Sequence, residues 1–166
     1  MGGIPMSNLT SKEIVFGSSF VKRFSKAVTF SEAVDQLSVN LLNQNLVTAD
    51  YPQAVKDREK KYPTGLPTSP IGVAIPHTDP QFVKKNAVSV GVLEEPIEMV
   101  VMGTSDEPVS VSIIFLLSLA QSNKQLNILK RIMSVVQDQN ELRKFISATN
   151  EEIAIDVQKA ILEGLE

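Results

Sequence analysis

The sequence predicts an α/β fold in which helices cover both faces of a mixed β-sheet within a single compact domain. Two observations carry the prediction. Segments whose apolar residues recur with helical spacing mix with short apolar runs of strand length, and a length of 166 residues suits one hydrophobic core. We expect the domain to span residues 1–166, with residues 1–10 forming a flexible N-terminus.

Five helices are predicted from the spacing of apolar residues. Thr29 or Ser31 can cap the first, which continues at helical spacing to Leu41. Tyr51-Pro52 opens the second, because proline suits a first helical turn, and Asn150 is the expected cap of the last. The second to fifth helices are predicted over residues 51–61, 124–138, 141–147 and 151–162.

Apolar runs predict the strands. The weakest covers residues 13–20, and clearer ones cover 72–76, 87–93, 97–102 and 109–119. The last is long and apolar enough to be a buried, central strand. Three prolines and Gly65 between residues 62 and 71 predict a loop without regular structure.

Composition excludes several classes of function. The absence of cysteine excludes disulfides and thiol nucleophiles, and one histidine excludes a histidine-rich zinc site, so no metal or cofactor is expected. A net charge of −3 with scattered lysines and arginines argues against nucleic-acid binding.

Neither a membrane segment nor a nucleotide site is indicated. The most apolar stretch, 109–120, is too short to cross a bilayer. The first residues do not form a signal peptide, so we expect a cytoplasmic protein without direct membrane insertion. No Walker or dinucleotide motif is present, so a phosphoryl donor would be another protein.

The only histidine, His77, is the main candidate for chemistry. It follows the apolar run 72–76, and Pro76, which lacks an N–H, should end that strand and hold His77 at the sheet edge. An imidazole is largely unprotonated at neutral pH and can form a covalent phosphoryl intermediate. The alternative is that His77 is a turn or surface residue, and its position alone favours that alternative.

Two further segments could bind an anion. Arg58 offers a planar fork that suits phosphate oxygens, and Thr64 and the N–H groups near Gly65 could add neutral donors. The separation of 19 positions between Arg58 and His77 permits contact but does not require it, and the alternative is a solvated helix face. Residues 122–125 begin a helix whose free N–H groups could bind an anion, although a simple helix cap is the preferred interpretation.

The resemblance to a known family rests on two segments. One is Arg58-Glu59 followed by Pro63-Thr64-Gly65-Leu66, and the other is Gly72-Val73-Ala74-Ile75-Pro76-His77. At these residues the chain resembles the enzyme IIA components of the bacterial phosphoenolpyruvate:sugar phosphotransferase system, of the fructose/mannitol superfamily. The likeness extends over roughly residues 25–162, and the two motifs are specific only together.

The resemblance implies a phosphotransferase that acts as a phosphohistidine carrier without a cofactor. His77 would accept the phosphoryl group, by the family's usual choice on Nε2, and Arg58 would stabilise the phosphate charge. Thr64 and Gln125 are weaker candidate donors. The implied partners are HPr as donor, a cysteine of enzyme IIB as acceptor and, indirectly, the membrane enzyme IIC.

Two departures narrow the resemblance. Many fructose- and mannitol-type members carry a second histidine where this chain has Gln125, and the usual glycine after the active histidine is replaced by Thr78. Both features look more like the galactitol-type branch, so the implied sugar is galactitol or a similar polyol or pentitol. Two alternatives stay open: a regulatory module of the nitrogen type that signals by its phosphorylation state, and a non-catalytic α/β binding domain in which His77 is structural.

Overall fold

The computed structural model describes residues 14–120 and 122–163, with the side chains of 122–125 left out. The predicted flexible segment 1–10 therefore lies outside the described residues. The strands in chain order are β1 Ile14–Val15, β2 Val21–Phe24, β3 Gly65–Leu66, β4 Gly72–Ala74, β5 Asn86–Val100 and β6 Pro108–Ser118. The helices are α1 Phe30–Leu37, α2 Val39–Asn43, α3 Tyr51–Lys61, α4 Ser122–Val136, α5 Gln139–Ser147 and α6 Asn150–Val157, which continues as a π-helical turn over Gln158–Leu162.

The described residues form one mixed sheet of six strands. β1 and β2 both pair in parallel with the same edge of β5, and β6 lies antiparallel on the other side of β5. β4 then pairs in parallel with β6, and β3 closes the far edge antiparallel to β4. The long apolar strand β6 is therefore central, as predicted, and β4 delivers the chain to His77 beside it.

Helices cover both faces of this sheet, which confirms the predicted α/β architecture. Gly91 of β5 faces α1, since a Cβ added there would lie 3.0 Å from Leu37. The preceding residue, Val90, pairs with Phe115 of β6, whose ring packs edge-on against Phe145 of α5 with 6.3 Å between centroids. Because successive side chains of a strand point to opposite faces, α1 and α5 lie on opposite sides of the sheet.

Several strand and loop predictions need correction. The run 87–93 and residues 97–100 of the next predicted strand form one strand, β5, because both halves keep β6 as partner across a register shift between Val92 and Ile97. The predicted loop 62–71 contains the short strand β3, whose pairing with β4 the flanking prolines do not prevent. Within 13–20 only Ile14–Val15 is a strand, Ser18–Phe20 is a 3₁₀ turn, and the unpredicted strand β2 follows.

Every predicted helix is present, but α4 spans Ser122–Val136 rather than 124–138, α5 begins at Gln139 rather than 141, and two caps and one continuation also differ. Thr29, not Ser31, caps α1, since its hydroxyl accepts the Glu32 N–H and the Glu32 carboxylate accepts the Thr29 N–H. The predicted continuation to Leu41 breaks before Val39, where α2 begins. The cap of α6 is Thr149 rather than Asn150, through the same reciprocal bonding with Glu152. In each capping box a glutamate three residues after the threonine selects the cap.

β4 runs beside β6 at very short range. A Cβ on Gly72 would lie 2.1 Å from the backbone oxygen of Ser110, so the first position of β4 has room only for glycine. The strand ends at Ala74, two residues before the predicted end at Pro76.

No helix among the described residues is both long enough and apolar enough to cross a membrane.

Candidate functional site

His77 lies just past the end of β4, on a backbone that neighbouring segments hold from two sides. The Ile75 N–H donates to the carbonyl of Thr64 at 3.3 Å, and the Leu117 N–H of β6 donates to the carbonyl of Pro76 at 3.0 Å. Ile75 and Pro76 are both buried, whereas His77 is half-buried. The apolar run therefore anchors the chain up to Pro76 and leaves the imidazole at the edge of the core, as the sequence predicts.

The contacts of the imidazole decide which nitrogen carries the proton. His77 Nδ1 lies 2.9 Å from the backbone oxygen of Ile75. A carbonyl oxygen only accepts hydrogen bonds, so Nδ1 must hold the proton for this contact to be favourable. In the neutral ring the lone pair then belongs to Nε2, which is the nitrogen that can act as a nucleophile.

The surroundings of His77 favour its neutral form. Burial lowers its pKa below the ordinary value of 6.5, and the nearby Arg58 charge lowers it further. The hydrogen bond to Ile75 and the charge of Asp79 oppose this shift. A neutral ring at pH 7 keeps the Nε2 lone pair available.

Arg58 belongs to the same site, at the C-terminal half of α3. Its Nη1 lies 3.5 Å from Asp79 Oδ1, and its guanidinium carbon lies 5.0 Å from the centre of the Tyr62 ring. The Nε of Arg58 is buried and has no hydrogen-bond partner within the described part of the chain. A buried donor without an acceptor costs free energy that an incoming anion would recover.

Thr64 is engaged differently from the sequence prediction. Both its N–H and its hydroxyl donate to the carboxylate of Glu59, each at 2.8 Å. A hydroxyl has one proton, so in this arrangement Thr64 has none left for a phosphoryl oxygen. Its role as a phosphate donor stays a prediction that requires Glu59 to release that bond.

The carboxylate that holds Thr64 is itself perturbed. Burial raises the pKa of Glu59 from 4.5 to about 7, against the lowering effects of the two Thr64 hydrogen bonds and of Arg58. The sequence analysis includes Glu59 in the family motif but gives its side chain no role of its own. Its presence beside Arg58 in the quoted motif was the available signal.

The side chain of Gln125 lies outside the described residues, so its role as a donor stays a prediction, and the same holds for the anion site at residues 122–125. Thr78 is buried, and Asp79 after it is 61% exposed and reaches Arg58. Asp79 was not predicted, and only its position two residues after His77 could have pointed to it.

The chemistry available here is nucleophilic and electrostatic. Among the described residues no group of three or more histidine, cysteine, aspartate or glutamate side chains could hold a metal ion. What the site does bring together is an imidazole with a defined lone pair and a guanidinium with an unsatisfied donor, a combination suited to a small anion such as a phosphoryl group.

The sequence model of the family described as the phosphoenolpyruvate-dependent sugar phosphotransferase system, EIIA 2, matches residues 15–160. The chain belongs to this family. The match covers α1 to α6 and the whole sheet except its first residue, so it confirms the resemblance drawn from the two motifs.

Three characterised relatives of this EIIA chain are similar at low identity. It is 26% identical over 143 residues to the mannitol-specific cryptic phosphotransferase enzyme IIA component of Escherichia coli K12, covering 86% of this chain and 93% of that protein. It is 25% identical over 158 residues to the galactitol-specific EIIA component of the same strain, covering 94% and 99%. It is 27% identical over 119 residues to the transcriptional regulator ManR of Bacillus subtilis 168, where the match covers 72% of this chain but only 16% of ManR.

A solved structure confirms the fold. This EIIA chain superimposes with a TM-score of 0.70 and 20% identity on a chain of the complex of enzyme IIAMTL with phosphorylated enzyme IIBMTL from Escherichia coli, covering 88% of this chain and 98% of that one. At this identity the likeness establishes the shared mixed α/β architecture.

Proposed function

We propose that this protein is a cytoplasmic phosphocarrier that accepts a phosphoryl group from phosphorylated HPr on Nε2 of His77 and passes it to a cysteine of a cognate enzyme IIB. The observation that carries the proposal is the hydrogen bond from His77 Nδ1 to the Ile75 carbonyl, beside the guanidinium of Arg58. Membership of the EIIA 2 family supports the same role.

The first transfer needs no proton movement at the attacking atom. The Nε2 lone pair forms a bond to phosphorus while the phosphorus–nitrogen bond of the donor breaks, and the donor nitrogen keeps that electron pair. The proton stays on Nδ1, which donates it in the hydrogen bond to the Ile75 carbonyl, and this bond stabilises the positive charge that the ring gains on attack. Arg58, with its buried Nε unpaired, would balance the phosphoryl charge.

The second transfer reverses the roles of the atoms. A thiolate of enzyme IIB attacks phosphorus, the bond from phosphorus to Nε2 breaks, and Nε2 recovers its lone pair. The lowered pKa of His77 favours this step, because the neutral ring is a stable leaving group near pH 7. Enzyme IIC would act downstream in the membrane and would not contact this site.

The sugar that the system transports is proposed from the two residues that make this chain resemble the galactitol-type branch. Gln125 in place of a second histidine and Thr78 in place of glycine favour galactitol or a similar polyol. Identities of 26% to the mannitol-specific relative and 25% to the galactitol-specific one do not separate the two. Transfer assays with IIB proteins of both systems would separate them.

The proposal is tested by intact-mass analysis after incubation with phosphoenolpyruvate, enzyme I and HPr. We expect wild-type protein to gain the mass of one phosphoryl group, labile in acid, and His77→Ala to gain none. Because the chain has a single histidine, an acid-labile phosphoryl group has one available imidazole. Wild-type protein that stays unmodified while a control carrier in the same tube is labelled would refute the proposal.

A regulatory role is the second candidate, and the similarity to the transcriptional regulator ManR favours it. A regulatory module would accept the phosphoryl group on His77 without fast onward transfer to a IIB cysteine. Rapid loss of the label on addition of IIB would support the carrier, whereas a label that persists with every IIB would support the regulatory role.

A further inference from the structure

We propose that Glu59 is the positioning residue for His77, and that it acts through a chain of hydrogen bonds running from α3 through Thr64 and Ile75 to the imidazole. The inference rests on the proposed function, since it assigns to Glu59 the task of keeping Nε2 ready for phosphoryl transfer. Glu59 touches neither the imidazole nor the incoming group, so its effect is indirect.

The first link joins α3 to the segment that leads into β3. Glu59 Oε2 accepts the Thr64 N–H and Oε1 accepts the Thr64 hydroxyl, each at 2.8 Å. Two bonds from one carboxylate to one residue fix that residue in both position and orientation, as a single bond would not. Thr64 is only 3% exposed, so water does not compete for these bonds.

The second and third links both pass through Ile75. The Thr64 carbonyl accepts the Ile75 N–H at 3.3 Å, and the Ile75 carbonyl faces His77 Nδ1 at 2.9 Å. Ile75 is buried, so the peptide group that carries this carbonyl moves with the backbone on either side of it. Thr64 therefore holds the acceptor for Nδ1 from one side, as Leu117 holds the backbone from the other, and Glu59 fixes Thr64 from α3.

The environment of Glu59 is that of a residue that positions His77 rather than that of an ordinary charged residue on an exposed helix face. Glu59 is half-buried, and this partial burial disfavours the charge of its carboxylate and raises its pKa to about 7. On the same helix Asp57 is exposed and bonds to Gln53. A carboxylate held in an unfavourable environment by two donors next to the site points to a structural purpose there.

Loss of Glu59 would release the acceptor of Nδ1 before it disturbed the rest of the fold. With Thr64 held only through the pairing of β3 with β4, the Ile75 carbonyl would hold one ring tautomer less firmly, and part of the population would place its proton on Nε2. That fraction cannot attack phosphorus, and small misplacement of reacting groups lowers rates steeply.

The test uses four variants of the full chain. Glu59→Ala removes both acceptors, and Glu59→Asp keeps the charge but is one methylene shorter. Glu59→Gln keeps the length, because its oxygen can accept the Thr64 N–H while its amide donates to the Thr64 oxygen. Asp57→Asn is the matched control, since it removes an exposed carboxylate from the same helix.

Two readouts are measured for each variant. With ¹⁵N-labelled histidine, the NMR spectrum of the unphosphorylated protein contains the ring of His77 alone, because the chain has no other histidine. The second readout is the rate of phosphorylation by phosphorylated HPr as a function of HPr concentration, which separates kcat from KM.

We expect wild type, Asp57→Asn and Glu59→Gln to show the same Nδ1-protonated tautomer and rates within about threefold of each other. In Glu59→Asp and Glu59→Ala the two ring nitrogen shifts should move toward each other, and kcat should fall roughly tenfold or more with little change in KM. If Glu59→Ala fails to fold, the comparison of Glu59→Asp with Glu59→Gln carries the same test.

Wild-type tautomer and wild-type kcat in Glu59→Asp and Glu59→Ala would overturn the proposal, whereas the carrier function would stand. If wild-type protein accepts no phosphoryl group at all, the proposed function fails instead. The NMR comparison needs no phosphorylation and still decides whether Glu59 positions His77.

Discussion

The buried tyrosine beneath the site offers a sharp test of how β6 supports His77. Tyr51 is fully buried at the start of α3, and its hydroxyl donates to the Leu117 carbonyl at 2.6 Å. The Leu117 N–H donates to Pro76, and the N–H and C=O of one strand residue point to the same side. The Leu117 carbonyl therefore points to the side of β6 on which β4 has already ended. There the Tyr51 hydroxyl supplies the hydrogen bond that a neighbouring strand would otherwise supply.

The change Tyr51→Phe removes this one hydroxyl and keeps the ring that fills the core. Leaving a buried carbonyl without its partner costs about 1–3 kcal/mol of unfolding free energy. A central value of about 2 kcal/mol corresponds to a fall in Tm of roughly 4–8 °C for a domain of this size. Burial also raises the pKa of Tyr51, so the hydroxyl keeps its proton as a donor throughout the range in which the protein would be assayed.

The assay is thermal unfolding followed by circular dichroism, with urea unfolding as a second measure of stability. Tyr62→Phe is the matched control, because Tyr62 is 60% exposed and the phenylalanine ring would still stack on Arg58. The control should change the unfolding free energy by less than about 0.5 kcal/mol. A Tyr51→Phe protein with a Tm within about 1 °C of wild type would refute the assignment of this hydroxyl as a partner of the Leu117 carbonyl.

Two further predictions concern α3. Arg58→Ala should slow phosphorylation of His77 about 100-fold, measured as a time course of intact mass. Arg58→Lys should restore only part of the rate, because an ammonium lacks the planar fork of the guanidinium. Equal rates in wild type, Arg58→Ala and Arg58→Lys would exclude Arg58 from the site. The pKa of Glu59 in the folded protein, about 7, lies above its ordinary value of 4.5. The free energy of unfolding of wild type should therefore fall as the pH rises from 4.5 through 7, by up to roughly 3 kcal/mol relative to Glu59→Gln, which does not titrate there. Urea unfolding of both proteins at pH 4.5 and pH 8 measures this difference, and the contribution of His77 cancels because both proteins contain it. A difference in unfolding free energy that does not change with pH would contradict the prediction.

The sequence predicts the position of His77 well because the causes are local. An apolar run, a proline without an N–H and the absence of other histidines are all readable within a few residues of His77. The neighbourhood of Arg58 could not be derived from the 19-residue separation, and it came from the family resemblance. In the fold, that neighbourhood is created by Thr64, which binds both α3 and Ile75.

The residues that sequence reasoning missed owe their roles to packing between distant segments. Glu59 looks like any charged residue of a polar helix until the turn at Thr64 buries its carboxylate. The sequence also does not show that the two predicted strands on either side of Pro96 form the single strand β5. The proline indicates an interruption, but nothing in the sequence indicates that β6 stays paired on both sides of it. Thr149 is a different case, since its glutamate three residues later was visible in the sequence.

The ion pair between Arg58 and Asp79 affects how strongly the site would stabilise a phosphoryl group on His77. Asp79 lies 3.5 Å from the guanidinium that a phosphoryl group on His77 would also need, and its charge would repel that group. Because the side chain of Asp79 is 61% exposed, the pair contributes little to the stability of the fold. For a phosphoryl group carried on His77 we therefore expect a higher group-transfer potential, because the group would share Arg58 as its counterion with the carboxylate of Asp79.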